Sequence, residues 1–382
     1  MVIEVSEEAL RKALTISPVI YQKHVKGRAE IGELVELEYE GRTICAMWDE
    51  TGPVRLRVLL NHECPSTPEE ALEEALERAY RVRRLNGAAN WDAFRLVNGD
   101  GDMLSGLIID IYKEIAVLQS SSLAIDKYIK FIAERVRNLL KLESVYEKSV
   151  QRVRRKVGLP EREGLILGTK KETVVDEEGV KFLVRVDKQK TGLYLDQREN
   201  RVFFERFAKG EKVLDAFSYT GGFGLHALHG GAKKVKFVDE DHEALSILKE
   251  NLRLNSFSEE MVEIVESDIW RYLKEERSRF GLLSFDPPAF IPSKEYYDLG
   301  VRDYLKVYIN AFKLAEEGSV VVLSSCSQPL SRDDFLRLIS KASFYAKVDA
   351  RTFALRGASR DHVMLPNARH LEYLKVAFLS RL

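Results

Sequence analysis

Between Val213 and Gly224 the chain reads Val-Leu-Asp-Ala-Phe-Ser-Tyr-Thr-Gly-Gly-Phe-Gly. A short apolar run ends on Asp215, breaks into small residues and restarts as a helix at Leu225. A strand that turns through glycines directly into a helix is the opening of a nucleotide-binding α/β unit. Glycine lets the backbone approach a ligand closely and take conformations closed to residues with a Cβ. The pattern beyond this loop keeps alternating. Strands are predicted to end at Asp215, Asp239, Asp268 and Asp286, with helical periodicity at Gly224 to Leu228 and Glu243 to Leu254. Val320 to Leu323 reads as a buried strand leading into Ser-Ser-Cys326-Ser, and Tyr373 to Leu379 as a last strand. Such alternation predicts an α/β, Rossmann-like domain: a mostly parallel sheet with helices on both faces.

That domain cannot be the whole chain, because 382 residues exceed one ordinary core. Residues 1–68 read as a small β-rich unit. Val35, Leu37 and Tyr39 alternate with glutamates, Glu40-Gly41 turns, and Ile44, Ala46 and Trp48 alternate again. Pro65 to Glu70 marks a boundary and a helix start. Residues 69–188 form an α+β middle unit, and residues 189–382 the α/β domain. Hydrophobic residues make up 45% and charged residues 31%, a soluble globular balance. No apolar run reaches about 18 residues, so no membrane span is expected.

The three cysteines are odd in number and far apart, which argues against a disulfide framework or a zinc site. Cys45 and Cys64 read as small buried hydrophobes, and a reducing, cytoplasmic location is expected. The 59 basic and 60 acidic side chains nearly cancel, so contact with nucleic acid must come from a local patch. Lys148, Arg152, Arg154, Arg155 and Lys156 form one such cluster, and Arg351, Arg356 and Arg360 another. Either reads equally well as a solvated face.

In open α/β sheets ligands sit at the carboxyl ends of the strands, so successive acidic strand ends point carboxylates into one crevice. Asp239 is placed to accept from ribose hydroxyls, and Asp268 to meet an adenine amino group. The loop departs from the Gly-x-Gly-x-x-Gly dinucleotide fingerprint. It suits S-adenosylmethionine, which has no pyrophosphate and carries a positively charged methionine end that Asp215 can face. Taken singly, each aspartate is as readable as a helix N-cap. In Asp286-Pro-Pro-Ala-Phe290 two prolines withdraw two backbone donors. The loop then offers carbonyls and an acid to the amino edge of a planar base, with Phe290 as a wall. Cys326 lies past a strand end on the same side. A thiolate there can add to C6 of a pyrimidine and make C5 nucleophilic.

With these residues in view, the whole chain resembles the RlmI-like class I methyltransferases, which act on cytosine of large-subunit ribosomal RNA and carry an N-terminal PUA domain. The most specific segment is Lys190-Thr-Gly-Leu-Tyr-Leu-Asp-Gln-Arg-Glu-Asn-Arg201. By itself it reads as a basic, glycine-broken linker; the resemblance makes it an edge of the cofactor pocket. The resemblance implies cofactor contacts at Tyr194, Gln197, Arg198, Asp215, Phe217, Ser218, Tyr219, Gly221, Gly222, Asp239, Asp268 and Asp286. It implies substrate contacts at Lys190, Pro287, Pro288 and Phe290, with Cys326 as nucleophile and Asp286 as base-orienting acid. Residues 1–68 would be the PUA-like RNA-binding barrel. The partner would be ribosomal RNA, naked or in a partly assembled subunit, and a homodimer is implied by the family alone. Related cytosine-C5 enzymes carry a second cysteine in the proline loop; Pro-Pro-Ala stands there in this chain.

Two other readings compete with a cytosine-C5 methyltransferase. One is an N-methyltransferase that uses the Asp286-Pro-Pro-Ala-Phe290 loop to hold an amine and needs no cysteine. The other is an RNA-binding assembly factor without transfer activity.

Overall fold

The computed structural model describes residues 3–188 and 193–382. They divide into two compact units. Residues 3–175, 184–188 and 360–371 make the first; residues 176–183, 193–359 and 372–382 make the second.

The first unit begins with a four-stranded antiparallel sheet in the order Val19–Tyr21, Val54–Leu60, Arg42–Trp48, Leu34–Tyr39. Its hairpin turns at Glu40 and Gly41, both left-handed. Val35 and Leu37 face inward with Ile20, Trp48 and Leu56, closing on Leu10 of the helix Glu7–Thr15. A five-stranded sheet follows, in the order Arg162–Leu167, Ser144–Ser149, Ile115–Ser120, Leu107–Tyr112, Ala93–Asn98. Its apolar side packs with the helices Pro68–Leu85 and Ile129–Leu140. The first of these helices starts on a capping box between Thr67 and Glu70, each side chain bonding the other residue's backbone N–H.

Two expectations are corrected in this unit. Cys45 and Cys64 are joined in a disulfide, with Cα atoms 4.8 Å apart. Strand Arg42–Trp48 pairs with Val54–Leu60 so that Cys45 faces Leu60, and the chain leaving Leu60 brings Cys64 back beside it. Sequence spacing does not reveal that adjacency, and the cysteine-based argument for a reducing compartment loses its premise. The basic run also divides. Arg152, Arg155 and Lys156 are exposed, whereas Lys148 is buried with Nζ donating to the carbonyl of Val186 at 2.8 Å. Arg154 is buried against Asp126 at 2.7 Å.

The second unit is built on seven strands: β1 (Lys212–Ala216), β2 (Lys234–Asp239), β3 (Val262–Glu266), β4 (Phe280–Phe285), β5 (Ala315–Ser325), β6 (Ala350–Arg356) and β7 (Lys375–Arg381). Their order is β3-β2-β1-β4-β5-β7-β6. The first five are parallel and β7 runs antiparallel between β5 and β6. This is the Rossmann-like α/β domain, mostly parallel, that the alternation predicts. The helices are α1 (Arg198–Glu205), α2 (Gly222–His229), α3 (His242–Leu254), α4 (Ile269–Glu275), α5 (Tyr297–Leu314) and α6 (Arg332–Ala346).

The core here joins Leu214, Leu283, Phe285, Val321 and Leu323 of the sheet to Tyr304, Tyr308 and Phe312 of α5 and Phe335 of α6. Central strands buried on both faces read as unbroken apolar runs, which is why β4 and β5 were legible. β6 was read only as part of a basic cluster. It is an edge strand whose Arg351 and Thr352 are exposed, so its alternation is weak. β3 stops at Glu266, two residues short of Asp268.

Candidate active site

The carboxyl ends of β1, β2, β4 and β5 converge on one place. At the end of β1, Asp215 is buried and its Oδ2 accepts the backbone N–H of Gly224 at 2.8 Å. The loop between is strained: Phe217 and Tyr219 hold φ of 62° and 50°, the left-handed region that non-glycine residues avoid. Such strain collects at functional sites, where the surrounding structure enforces it. The Ser218 N–H donates to the carbonyl of Val238 at 3.0 Å, tying the loop to β2. The Tyr219 N–H donates to Asp239 Oδ2 at 2.7 Å, and Asp239 Oδ1 accepts from the Asp241 N–H at 3.0 Å. Two glycines are obligatory for steric reasons. Gly221 is left-handed and a Cβ on it would strike Leu248, while a Cβ on Gly224 would strike the ring of Phe237 on β2.

At the end of β4, Asp286 is half-buried and its Oδ1 accepts from Gln197 Nε2 at 2.9 Å. Pro287 is buried and Pro288 exposed. Phe290 is enclosed by Trp270 (6.0 Å, stacked), Phe217 (6.2 Å) and Tyr304 (4.9 Å). At the end of β5, the half-buried Cys326 points its Sγ at the carbonyl of Pro287, 3.8 Å away. The strand register explains the meeting, since Phe285 pairs with Leu323 and each chain continues into its own loop. Lys375, first residue of β7, is buried behind the Cys326 loop and donates to the carbonyls of Ser327 (2.7 Å) and Leu330 (2.8 Å).

Charge in the cleft is unbalanced. Burial, reinforced by the charges of Asp286 and Asp239 and opposed by the Gly224 N–H, pushes Asp215 up to about 8. Burial and the nearby Asp196 push Asp286 up to about 7, against hydrogen bonds from Gln197 and Ser324. Burial, Asp286 and Asp196 push the Cys326 thiol up to about 12, with Lys375 working the other way. Burial lowers Lys375 to about 8. Among the described residues no cation is bonded to Asp215 or Asp286.

Of the residues singled out from sequence, Asp215, Phe217, Ser218, Tyr219, Gly221, Gly222 and Asp239 lie on one continuous loop system. Asp286, Pro287, Phe290 and Cys326 lie beside it. Tyr194 is exposed, its ring 5.2 Å from that of Tyr219. Gln197 reaches Asp286. Arg198 instead turns to Glu178 (3.2 Å) and Glu177 (3.7 Å). Asp268 is exposed and caps α4, its Oδ1 accepting from Trp270 N (3.0 Å) and Arg271 N (3.1 Å). Lys190 lies outside the described residues.

Other groups were given no individual role by the sequence, although Asn200 and Arg201 lie in the segment ending at Arg201. Glu177 is buried and holds Arg201 in a two-pronged pair at 2.6 and 2.8 Å, and His226 bridges Glu177 and Glu205. Arg201 also donates to the carbonyl of Tyr194 at 2.7 Å, pinning the segment that lines the cleft. Asn200, Ser324 and Lys375 were likewise unread.

Comparison with known proteins gives the family and the fold. A family model described as S-adenosylmethionine-dependent methyltransferase matches residues 163–343. The ribosomal RNA large subunit methyltransferase I of Aeromonas hydrophila is 34% identical over 367 residues, covering 90% of each chain. The Methanocaldococcus jannaschii protein MJ1653 is 36% identical over 356 residues, covering 92% of this chain and 90% of its own. The crystal structure of SMU.776 complexed with SAH superposes with a TM-score of 0.82 over 99% of both chains at 20% identity, a likeness of fold.

Proposed function

The chain belongs to the S-adenosylmethionine-dependent ribosomal RNA large-subunit methyltransferases, and on that premise we propose that it methylates C5 of a cytosine through a covalent adduct at Cys326. The observation that carries the reading is the meeting of two strand tips. The thiol of Cys326 lies against the Pro287 carbonyl, one residue from Asp286, so a nucleophile and a base-reading acid share one cleft.

The residues fit the cofactor. Asp215 is a buried acid that accepts the Gly224 N–H and has no bonded protein cation among the described residues, and the buried hydroxyl of Ser218 has no hydrogen-bond partner among them. A ligand that brings positive charge and hydrogen-bonding capacity satisfies both. In this reading Asp215 faces the methionine end, Asp239 the ribose, and Phe217 and Tyr219 the flanks, while Asp286 faces the target base. Asp268 reaches the adenine only through the oxygen that does not cap α4. When bound, S-adenosylmethionine supplies a methyl group on a positively charged sulfur.

The chain's own residues supply the remainder. Cys326, as thiolate, would donate an electron pair to C6, the C5=C6 pair would move to C5, and C5 would take the methyl group while the pair of the broken sulfur–methyl bond stays on the cofactor sulfur. A base other than a proline-loop thiol, since Pro-Pro-Ala stands there, would then take the C5 proton, and the C5–H electrons would re-form the C5=C6 bond and expel the Cys326 thiolate. A thiol raised to about 12 carries little thiolate near neutrality, so adduct formation is expected to depend on the positive charge of the bound cofactor beside that of Lys375. A ring carbon must be exposed to react, so the target nucleotide is unpaired or turned out of its stack. The N-terminal four-stranded sheet, read as a PUA-like domain, would hold the surrounding RNA.

The same high thiol pKa favours a second reading, methylation of a nitrogen held at the Asp286-Pro-Pro carbonyls without a covalent step. Cys326→Ala separates the two when the product nucleoside is identified by mass spectrometry. The covalent reading expects no 5-methylcytosine and no trapping by RNA containing 5-fluorocytosine. A Cys326→Ala enzyme that methylates C5 at the wild-type rate sinks it. Absence of any methyl transfer from labelled cofactor to RNA by the wild type would instead favour an assembly factor.

A further inference from the structure

Behind Asp286 runs a hydrogen-bonded line of side chains that the proposed chemistry has not used. Arg356, at the end of β6, donates from Nε to Asn200 Oδ1 at 2.9 Å. Asn200 Nδ2 donates to Gln197 Oε1 at 2.7 Å and to the carbonyl of Gly357 at 3.0 Å. Gln197 Nε2 donates to Asp286 Oδ1 at 2.9 Å and to Ser324 Oγ at 3.4 Å. Asn200 and Gln197 are buried.

An amide can ordinarily be turned end for end, because its oxygen and nitrogen are alike in shape. Here it cannot. Arginine only donates and a backbone carbonyl only accepts. Arg356 therefore fixes Asn200 Oδ1, and the Gly357 carbonyl independently fixes Asn200 Nδ2. Gln197 must then turn its oxygen to Asn200 and its NH2 to Asp286. Reversing either amide would place donor against donor and acceptor against acceptor in a buried site, which is costly.

We propose that Arg356, Asn200 and Gln197 are positioning residues that fix Asp286 with Oδ1 as an acceptor, so that its proton sits on Oδ2 and is offered to the target base. Resting on the cytosine-C5 reading, this gives a basis for base choice. Neutral cytosine has an acceptor at N3 and meets an acid O–H, whereas uracil presents N3–H, a donor, and is refused. The groups that also face Asp286 are Asp196 and Tyr194 ahead of α1, Arg201 from α1, Asp215 from β1, Cys326 after β5 and Tyr308 from α5. None of them belongs to the relay.

The test compares wild type with Gln197→Met, which keeps length but removes both donors, and with Arg356→Gln at the half-buried far end. Single-turnover methylation is followed across pH with saturating S-adenosylmethionine, alongside SAH affinity and thermal melting. The Gln197 N–H favours the carboxylate, so its loss raises Asp286 further. The fall in rate that accompanies Asp286 ionisation should move to higher pH by about one unit, so that the variant keeps a larger share of its best rate at pH ~9 than wild type does. Damage to folding does not produce a gain in that direction. Discrimination between cytosine and uracil in otherwise identical RNA should fall about tenfold or more. Arg356→Gln should show the same shift, smaller, with SAH affinity unchanged. A wild-type enzyme not trapped by 5-fluorocytosine overturns the C5 reading beneath the proposal. Trapping with an unmoved pH limb in both variants overturns the relay alone.

Discussion

The two units both bury aspartates, and they treat them oppositely. In the first, Asp49 meets Arg57 at 2.5 Å, Asp102 is gripped by both ends of the Arg83 guanidinium, and Asp110 meets Arg95 at 2.8 and 3.1 Å. Burial alone would raise Asp49, yet Arg57 with Thr51 and Ser122 holds it below the usual carboxylate value. In the second, Asp215 and Asp286 receive only neutral N–H and hydroxyl donors, and burial prevails. Asp215 is as buried as Asp49 and Asp110 and of the same residue type, so the partner decides. A buried acid paired with arginine belongs to the architecture; one left without a protein cation in a cleft is kept for a ligand.

That contrast can be broken in four places. Arg83→Met leaves Asp102 buried and unpaired, and should cost the first unit about 3–5 kcal/mol in urea unfolding. A loss under about 1 kcal/mol would mean the pair is dispensable. Reduction of Cys45–Cys64 frees a loop with a sequence separation of 19. It should cost the same unit about 3 kcal/mol, read as a lowered melting temperature in reductant or in Cys64→Ser.

Asp215→Asn carries the opposite sign. Its folded pKa is raised, so the native state favours the protonated form. The acid's contribution is therefore complete below its unfolded value and is lost as pH rises towards about 8. The cofactor-free variant should be more stable than wild type at neutral pH by on the order of 2 kcal/mol, with a flatter pH dependence. Cofactor affinity should fall more than tenfold by calorimetry. Destabilisation with unchanged affinity would place Asp215 among the architectural acids.

The smallest effect belongs to His226. Burial would lower its pKa, but Glu177 and Glu205 raise it, so its contribution is complete below the unfolded value and fades as pH climbs through the raised one. His226→Gln should remove about 1 kcal/mol at pH ~6 and less at pH ~9. Equal losses at both would show that the ring acts by packing.

Legibility followed periodicity and local chemistry. β1, β4 and β5 were readable because their buried stretches are short apolar runs, β2 because Val235, Phe237 and Val238 lead into Asp239, and the loop at Phe217 to Gly222 because glycine betrays unusual backbone. The exposed edge strand β6 and the disulfide were not, since neither leaves a local mark. Asp268 looked like its fellow acids, but its strand stops two residues early and one of its oxygens caps α4. Arg198 and Arg201 sit three positions apart in one motif, and both turn to Glu177, which no spacing connects to them.

By itself the sequence determined a parallel α/β sheet, a glycine loop behind Asp215, an acid–proline loop and a cysteine past the next strand. Those are properties of short stretches, where side-chain period and backbone freedom are written residue by residue. Tertiary structure decided which acids are paired, which way the amides of Asn200 and Gln197 face, and that the Cys326 thiol meets the Pro287 carbonyl. Each depends on groups distant in the chain whose donors, acceptors and charges acquire meaning only once they share a space too dry for water to replace a missing partner.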